Sequence, residues 1–424
     1  MSRIRGSLVA VALLLAGGAT AAFAYAWHPA IGEIAVPGRQ AFKPEQIARG
    51  AELAAIGDCA VCHTADTGRP YAGGRAVPTP FGTVYATNVT PDPETGIGQW
   101  SEPAFRRAMR DGIDRAGRHL YPVLPYPHFT RASDADIKAM YAFLMTREPV
   151  RQAAPANHLP FPLDQRIVLA GWNLLYLRPG PWQPDAAHDA AWNRGGYLVE
   201  AIGHCGACHT PHNALGAEQG AQALGGGAAE GWYAPALQTD SPARNAWTKD
   251  ALATYLHTGF EPGHGAAAGP MTAELASVPL ADIDAIATYI ASTMPQASAM
   301  PQAPATPPAS PDRAAQDPQA QAMFAGACGA CHADDAPMTR GGAPSLALST
   351  SVNAPTPRGV IQAVLRGIPW REGSATPYMP AFATALTDEQ VAGIAGYLRR
   401  RFSDKPAWPD LPAQVKAARR EGGA

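Results

Sequence analysis

At 424 residues the chain exceeds a single ordinary core, and the usual ~100 to 200 residues per domain predicts two to four domains. The formal net charge is only -2, with no long basic run and no basic stretch interleaved with aromatics, so a nucleic-acid partner is disfavoured. Forty-two glycines and forty-two prolines predict short helices joined by long, conformationally fixed loops, and argue against long bundles and large parallel sheets.

Residues 1–27 read as a targeting segment. Arg3 and Arg5 give a positive start, Leu8 to Leu15 an apolar core, and Ala24-Tyr25-Ala26 a cleavage site, which together predict a signal peptide and export from the cytoplasm. The alternative is an uncleaved anchor, since the uncharged run from Ser7 to Trp27 approaches the ~20 residues that span a bilayer; its many Ala and Gly residues weaken that reading. No later stretch is long and apolar enough to cross a membrane.

Six cysteines follow in three C-x-x-C-H runs: Cys59, Cys62 and His63; Cys205, Cys208 and His209; Cys328, Cys331 and His332. This is the attachment signature of c-type haem, in which two thiols bond the porphyrin and the adjacent His ligates the iron. Zinc would need two such pairs close together, but these lie more than a hundred residues apart. A thioredoxin-like site would need a βαβ context, and a disulfide across two residues is a poor staple for a large domain. The sequence therefore predicts three covalent haem c groups.

The surroundings repeat with the motifs. A short helical segment precedes each one (ARGAELAAIGDC, NRGGYLVEAIGHC, AQAMFAGAC), and an amphipathic helix closes each unit (DADIKAMYAFLM, LADIDAIATYIAS, TDEQVAGIAGYLRRR). Ser133 and Thr387 are the caps expected at two of the closing helices. Superposition aligns Ile137 with Ile283 and Val391, Met140 with Ile286 and Ile394, and Phe143 with Tyr289 and Tyr397, which assigns Met140 to the core. The expected fold is all-α, with haem domains at 43–150, 191–295 and 318–403. An apolar connector covers 151–190, a Pro/Ala/Gln linker 296–317, and a tail 404–424. The linker predicts that the third domain moves relative to the others.

A second strong ligand on the iron favours electron transfer over binding of small molecules. Met379, in TPYMPAF, lies twelve residues before Val391, and Met271, in AGPMTAE, twelve before Ile283; both are expected as sixth ligands. The matching loop of the first domain, HLYPVLPYPHF, offers Leu124 instead. His128 is the preferred replacement, with His119 behind it; Met109, Met145 and an open iron stay as further alternatives. Methionine raises the potential relative to two histidines, so with His128 bound the first iron is expected to be the lowest of the three. His204 and His212 are weaker candidates for propionate contacts. Trp100 and Trp247 either pack on a haem or fill the core. Arg106, Arg107, Arg110, Arg115 and Arg118 form either a positive rim or a solvated helix face.

From Gln46 to Arg401 the chain resembles the three-haem cytochrome c subunits of bacterial membrane-bound dehydrogenases. The resemblance rests on CAVCHT, YAGGRAVPTPFGTVYATNVTPDPETGIGQWS, GRHLYPVLPYPHF, CGACHTPHN and GWYAPAL. It implies three tandem cytochrome c-like domains that take electrons from a large catalytic subunit, dependent on molybdenum, PQQ or flavin, and pass them to ubiquinone. It also implies a position on the periplasmic side of the cytoplasmic membrane. Leu124 departs from the methionine usual in alcohol and sugar dehydrogenase cytochromes, and leans toward aldehyde or N-heteroaromatic dehydrogenases of the molybdenum type. A haem enzyme with an open first iron and a soluble electron shuttle are the competing readings.

Overall fold

The closing helix read from DADIKAMYAFLM forms over Asp134–Met145 in the computed structural model, started by Ser133, whose hydroxyl accepts from Asp136 N. The structure describes residues 13, 16–18, 20–272, 278–295, 317–333, 336, 345–369 and 378–421; the Arg3/Arg5 region and residues 296–316 of the expected linker lie outside them. The chain divides into two units, residues 1–183 and 184–424.

In the first unit, α1 (Pro44–Ile56) leads to the Cys59–Cys62 turn, followed by a hairpin of β1 (Ala76–Thr79) and β2 (Gly82–Tyr85). Next come α2 (Glu102–Asp111), a single turn over Tyr126–Phe129, and α3 (Asp134–Met145). Helix α1 crosses α3 closely because Gly50 has no side chain: a Cβ there would lie 2.0 Å from the Ala139 carbonyl oxygen. The apolar connector contributes α4 (Leu169–Tyr176), tied inward where the Tyr126 hydroxyl donates to Asn173 Oδ1 at 2.6 Å. Its outward residues Leu174 and Leu175 are exposed.

The second unit twice repeats the order of first helix, motif turn and closing helix, with strand hairpins described only in the first of these repeats. Helix α5 (Ala190–Tyr197) runs through a π turn (Leu198–Ile202) to the second motif. It is followed by the β3 (Gly227–Ala229) and β4 (Trp232–Ala234) hairpin, α6 (Lys249–Thr258), the β5 (Phe260–Glu261) and β6 (Gly265–Ala266) hairpin, and α7 (Leu280–Thr293). Then α8 (Pro318–Met323) and another π turn (Phe324–Cys328) reach the third motif, with α9 (Arg358–Arg366), α10 (Asp388–Phe402) and α11 (Leu411–Glu421) beyond it. Thr387 and Gln390 cap α10 reciprocally.

The repeat alignment places the cores correctly: Ile137, Ile283 and Val391 are all buried, as are Met140, Ile286 and Ile394. It also explains the helix crossings. Gly195 meets Ala285 as Gly50 meets Ala139, with a Cβ again 2.0 Å from a carbonyl oxygen, while the third crossing inverts the pair and sets Ala320 against Gly393. The short hairpins were not expected. Gly82, at φ 127, supplies the turn of the first, in a stretch whose prolines hid its strand alternation.

The arginines of the first domain are paired, and Arg106 and Arg118 also keep exposed side chains, as a solvated face would. Arg107 donates to Pro29 O at 2.8 Å and to Asp114 O at 2.6 Å, and Arg115 bonds Ile31 O and Glu33. Arg118 pairs with Asp114, and Arg106 and Arg110 with Asp134. Most of these bonds clasp the extended residues 29–33 and the loop after α2. Two contacts join the second and third domains: Arg244 pairs with Asp404 at 2.7 Å, and Arg358 Nε donates to Gly231 O at 2.9 Å.

Candidate haem sites

None of the six cysteines is in a disulfide, and they are placed as the motif requires: each pair brackets one helical turn that ends at or beside its histidine. Asp58 (φ 51) and His204 (φ 37) bend the chain in the left-handed region just before Cys59 and Cys205.

The first two histidines share one geometry. His63 Nδ1 donates to Thr87 O at 2.6 Å and His209 Nδ1 to Pro235 O at 2.6 Å. Their own carbonyls accept from Gly73 N and Gly226 N, at 2.7 Å each. A carbonyl can only accept, so Nδ1 carries the proton and Nε2 keeps its lone pair. Burial lowers the pKa of both rings, opposed by the carbonyl bond, which keeps the imidazole neutral as an iron ligand must be. Burial also lowers His332.

Cys59 retains intermediate exposure, yet burial, then Cys62 and Asp58, push its pKa up to about 12. Tyr255 in the second domain shows the same combination, its hydroxyl pushed up to about 12. Two thiols and a neutral imidazole on adjacent residues are a donor set that fits haem c.

The sixth-ligand candidates are distributed less evenly. Met271 is half-buried in the Gly269–Thr272 turn. Met379 is half-buried against the third core, its backbone paired with Ile368 through two bonds of 2.9 Å. Leu124 is likewise half-buried, whereas His128 is buried in the Tyr126–Phe129 turn. His119 is buried with Nε2 donating to Ala26 O at 2.9 Å, which leaves Nδ1 as its unpaired nitrogen. Met109, Met140 and Met145 are core residues. Trp247 stacks on His264 with ring centroids 3.5 Å apart, and Trp100 instead supplies a carbonyl that accepts from Tyr141. Sequence reasoning missed Arg49–Asp136 and the bidentate Arg194–Asp282 pair, which tie the first and closing helices of two domains; the Arg-Gly dipeptide common to ARGAEL and NRGGYL was the available signal.

The cytochrome c family model matches residues 47–148 and 194–294, and the model for cytochrome c oxidase, cbb3-type, subunit III matches 315–398. The chain is 35% identical over 88% of its length to the fructose dehydrogenase cytochrome subunit of Gluconobacter japonicus, covering 82% of that protein. The chain belongs to the cytochrome c subunits of dehydrogenase complexes. The gluconate 2-dehydrogenase cytochrome c subunit of Pantoea cypripedii is 37% identical over 83% of this cytochrome and 85% of its own length. A nicotinate dehydrogenase subunit of Pseudomonas putida is 47% identical over 95% of this cytochrome, which spans only 34% of that longer protein. Membership makes the chain an electron-transfer subunit rather than a catalytic one.

Proposed function

We propose that this cytochrome is a three-haem subunit that takes electrons from a catalytic dehydrogenase subunit and delivers them toward the quinone pool. Its place in this reading is the periplasmic side of the cytoplasmic membrane. When bound, each haem supplies a reversible one-electron couple. Cys59 and Cys62, Cys205 and Cys208, and Cys328 and Cys331 would attach the groups, and His63, His209 and His332, with Met271, Met379 and His128, would ligate the irons. The observation that carries the proposal is the repeated geometry, in which His63 and His209 each donate Nδ1–H to a backbone carbonyl at 2.6 Å directly after a pair of cysteines that form no disulfide. Fixed rings with fixed tautomers need little rearrangement when an iron changes oxidation state, which suits electron relay.

Similarity to a nicotinate dehydrogenase subunit, together with Leu124, favours a partner that oxidises N-heteroaromatic or aldehyde substrates and contains molybdenum. Purification from native membranes in mild detergent, with metal and cofactor analysis of the co-purifying large subunit, tests this. Molybdenum supports the reading, PQQ or flavin returns it to alcohol or sugar oxidation, and a reproducibly partner-free protein contradicts it.

A further inference from the structure

Gly231 forms the tip of the β3–β4 hairpin at φ 82, and three side chains from the far part of the same unit close on it. A Cβ there would lie 2.8 Å from Gln362 Nε2, 2.8 Å from Glu421 Oε2 and 3.4 Å from Arg358 Nη2. The Gly231 carbonyl accepts from Arg358 Nε at 2.9 Å and from Gln362 Nε2 at 3.3 Å. Arg358 also pairs with Glu421, which joins α9 and α11 at the same point. Gln362 is fully buried, with Oε1 unpaired. A buried amide held this way is costly unless its contact persists.

The two sides of this contact lead to the two candidate methionine ligands. Behind Gly231, the Trp232 ring lies over Gly269, where a Cβ would come within 2.5 Å of it, two residues before Met271. On the other side, α9 ends at Gly367, and the next residue, Ile368, pairs with Met379; Phe382 N and Ala383 N then bond back to Val364 O and Leu365 O of α9. One hydrogen-bonded hairpin tip therefore connects the loop of one site to the helix that supports the loop of the other.

We propose that Gly231 is a docking seat that holds residues 318–421 on residues 184–295, so that the seat fixes the spacing of the second and third iron sites. Residues Arg358 and Gln362 are positioning residues for electron exchange between those sites. The inference rests on the haem reading above but fails separately from it. Native cysteines react with a thiol label only where haem is not attached, and that would sink the haem reading before any distance is measured.

The test uses full-length holoprotein carrying spin labels at D240C and E389C, both exposed positions, with the irons reduced and diamagnetic. The seat predicts one narrow distance. Arg358→Ala and, separately, Gln362→Leu lower the docked-to-released ratio by about tenfold or more, the usual effect of losing a charge-assisted or buried hydrogen bond. Both variants broaden the distribution and slow electron equilibration between the second and third irons after rapid photoreduction, while helix content and haem per chain stay unchanged. A broad distribution in the native protein, or a narrow one retained in the double variant R358A/Q362A, overturns the proposal.

Discussion

Placing a methyl group at the three helix crossings separates packing from intrinsic helix preference, because the geometry gives opposite signs for one chemical change. In Gly50→Ala and Gly195→Ala the new Cβ falls 2.0 Å from a backbone carbonyl oxygen of Ala139 or Ala285, and 2.7 to 2.8 Å from the Cβ of Phe143 or Tyr289. Ordinary contact lies near 3.5 Å, so the helices must part by about 1.5 Å, enough to forfeit much of the dispersion between them. The partner atom is backbone and cannot rotate away. Overpacking of this kind costs about 1–3 kcal/mol or more, and the preference of a helix for Ala over Gly returns about 1 kcal/mol, leaving a net loss of about 2 kcal/mol. In Gly393→Ala the nearest atoms, Ala320 Cβ and Met323 Cε, are at 3.7 Å, so the methyl finds space and the change stabilises by about 0.5–1 kcal/mol. Denaturant unfolding of the three holoproteins, followed by circular dichroism and by each domain's haem absorbance, measures the differences. Equal signs at all three positions would refute the reasoning.

Three further outcomes follow from the same geometry. Asp282→Asn weakens the half-buried bidentate Arg194 pair and is expected to cost about 2 kcal/mol, whereas Asp136→Asn, which touches Arg49 through one 3.3 Å contact shared with Glu52, costs below about 1 kcal/mol; denaturant midpoints compare them. Burial raises the Asp404 pKa, but the Arg244 hydrogen bond and charge, with Lys405, outweigh it and hold the carboxyl low. A pKa lower folded than unfolded stabilises above the unfolded value and loses that effect as pH falls through the folded one, so an acid titration of the spin-label distance should release below the ordinary carboxylate range and lose that dependence in Asp404→Asn. His128→Ala should open the first iron to carbon monoxide and remove the lowest-potential component of a redox titration; an unchanged titration assigns the ligand elsewhere.

The helices and the attachment sites were legible because their signals are local. A C-x-x-C-H run needs no tertiary information, and the 3.6-residue spacing of Ile137, Met140 and Leu144 depends only on which face of α3 meets the core. What escaped was long-range. The carbonyls that orient His63 and His209 belong to Thr87 and Pro235, and a backbone acceptor leaves no mark on residue identity. The hydrogen bond between His119 and Ala26 spans 93 positions, and nothing in the local sequence announces it. Composition suggested a third domain on a free tether because no pattern in the chain announces a glycine gripped by Arg358 and Gln362.

The central claim is that each of the three motifs carries a covalent haem. The most direct measurement is the intact mass of protein matured with a cytochrome c assembly system, paired with a haem-to-chain ratio from the alkaline pyridine spectrum. The account predicts three haems per chain that survive denaturation and no thiol open to alkylation. Two haems or fewer, or a free cysteine pair at any of the three motifs, would contradict it.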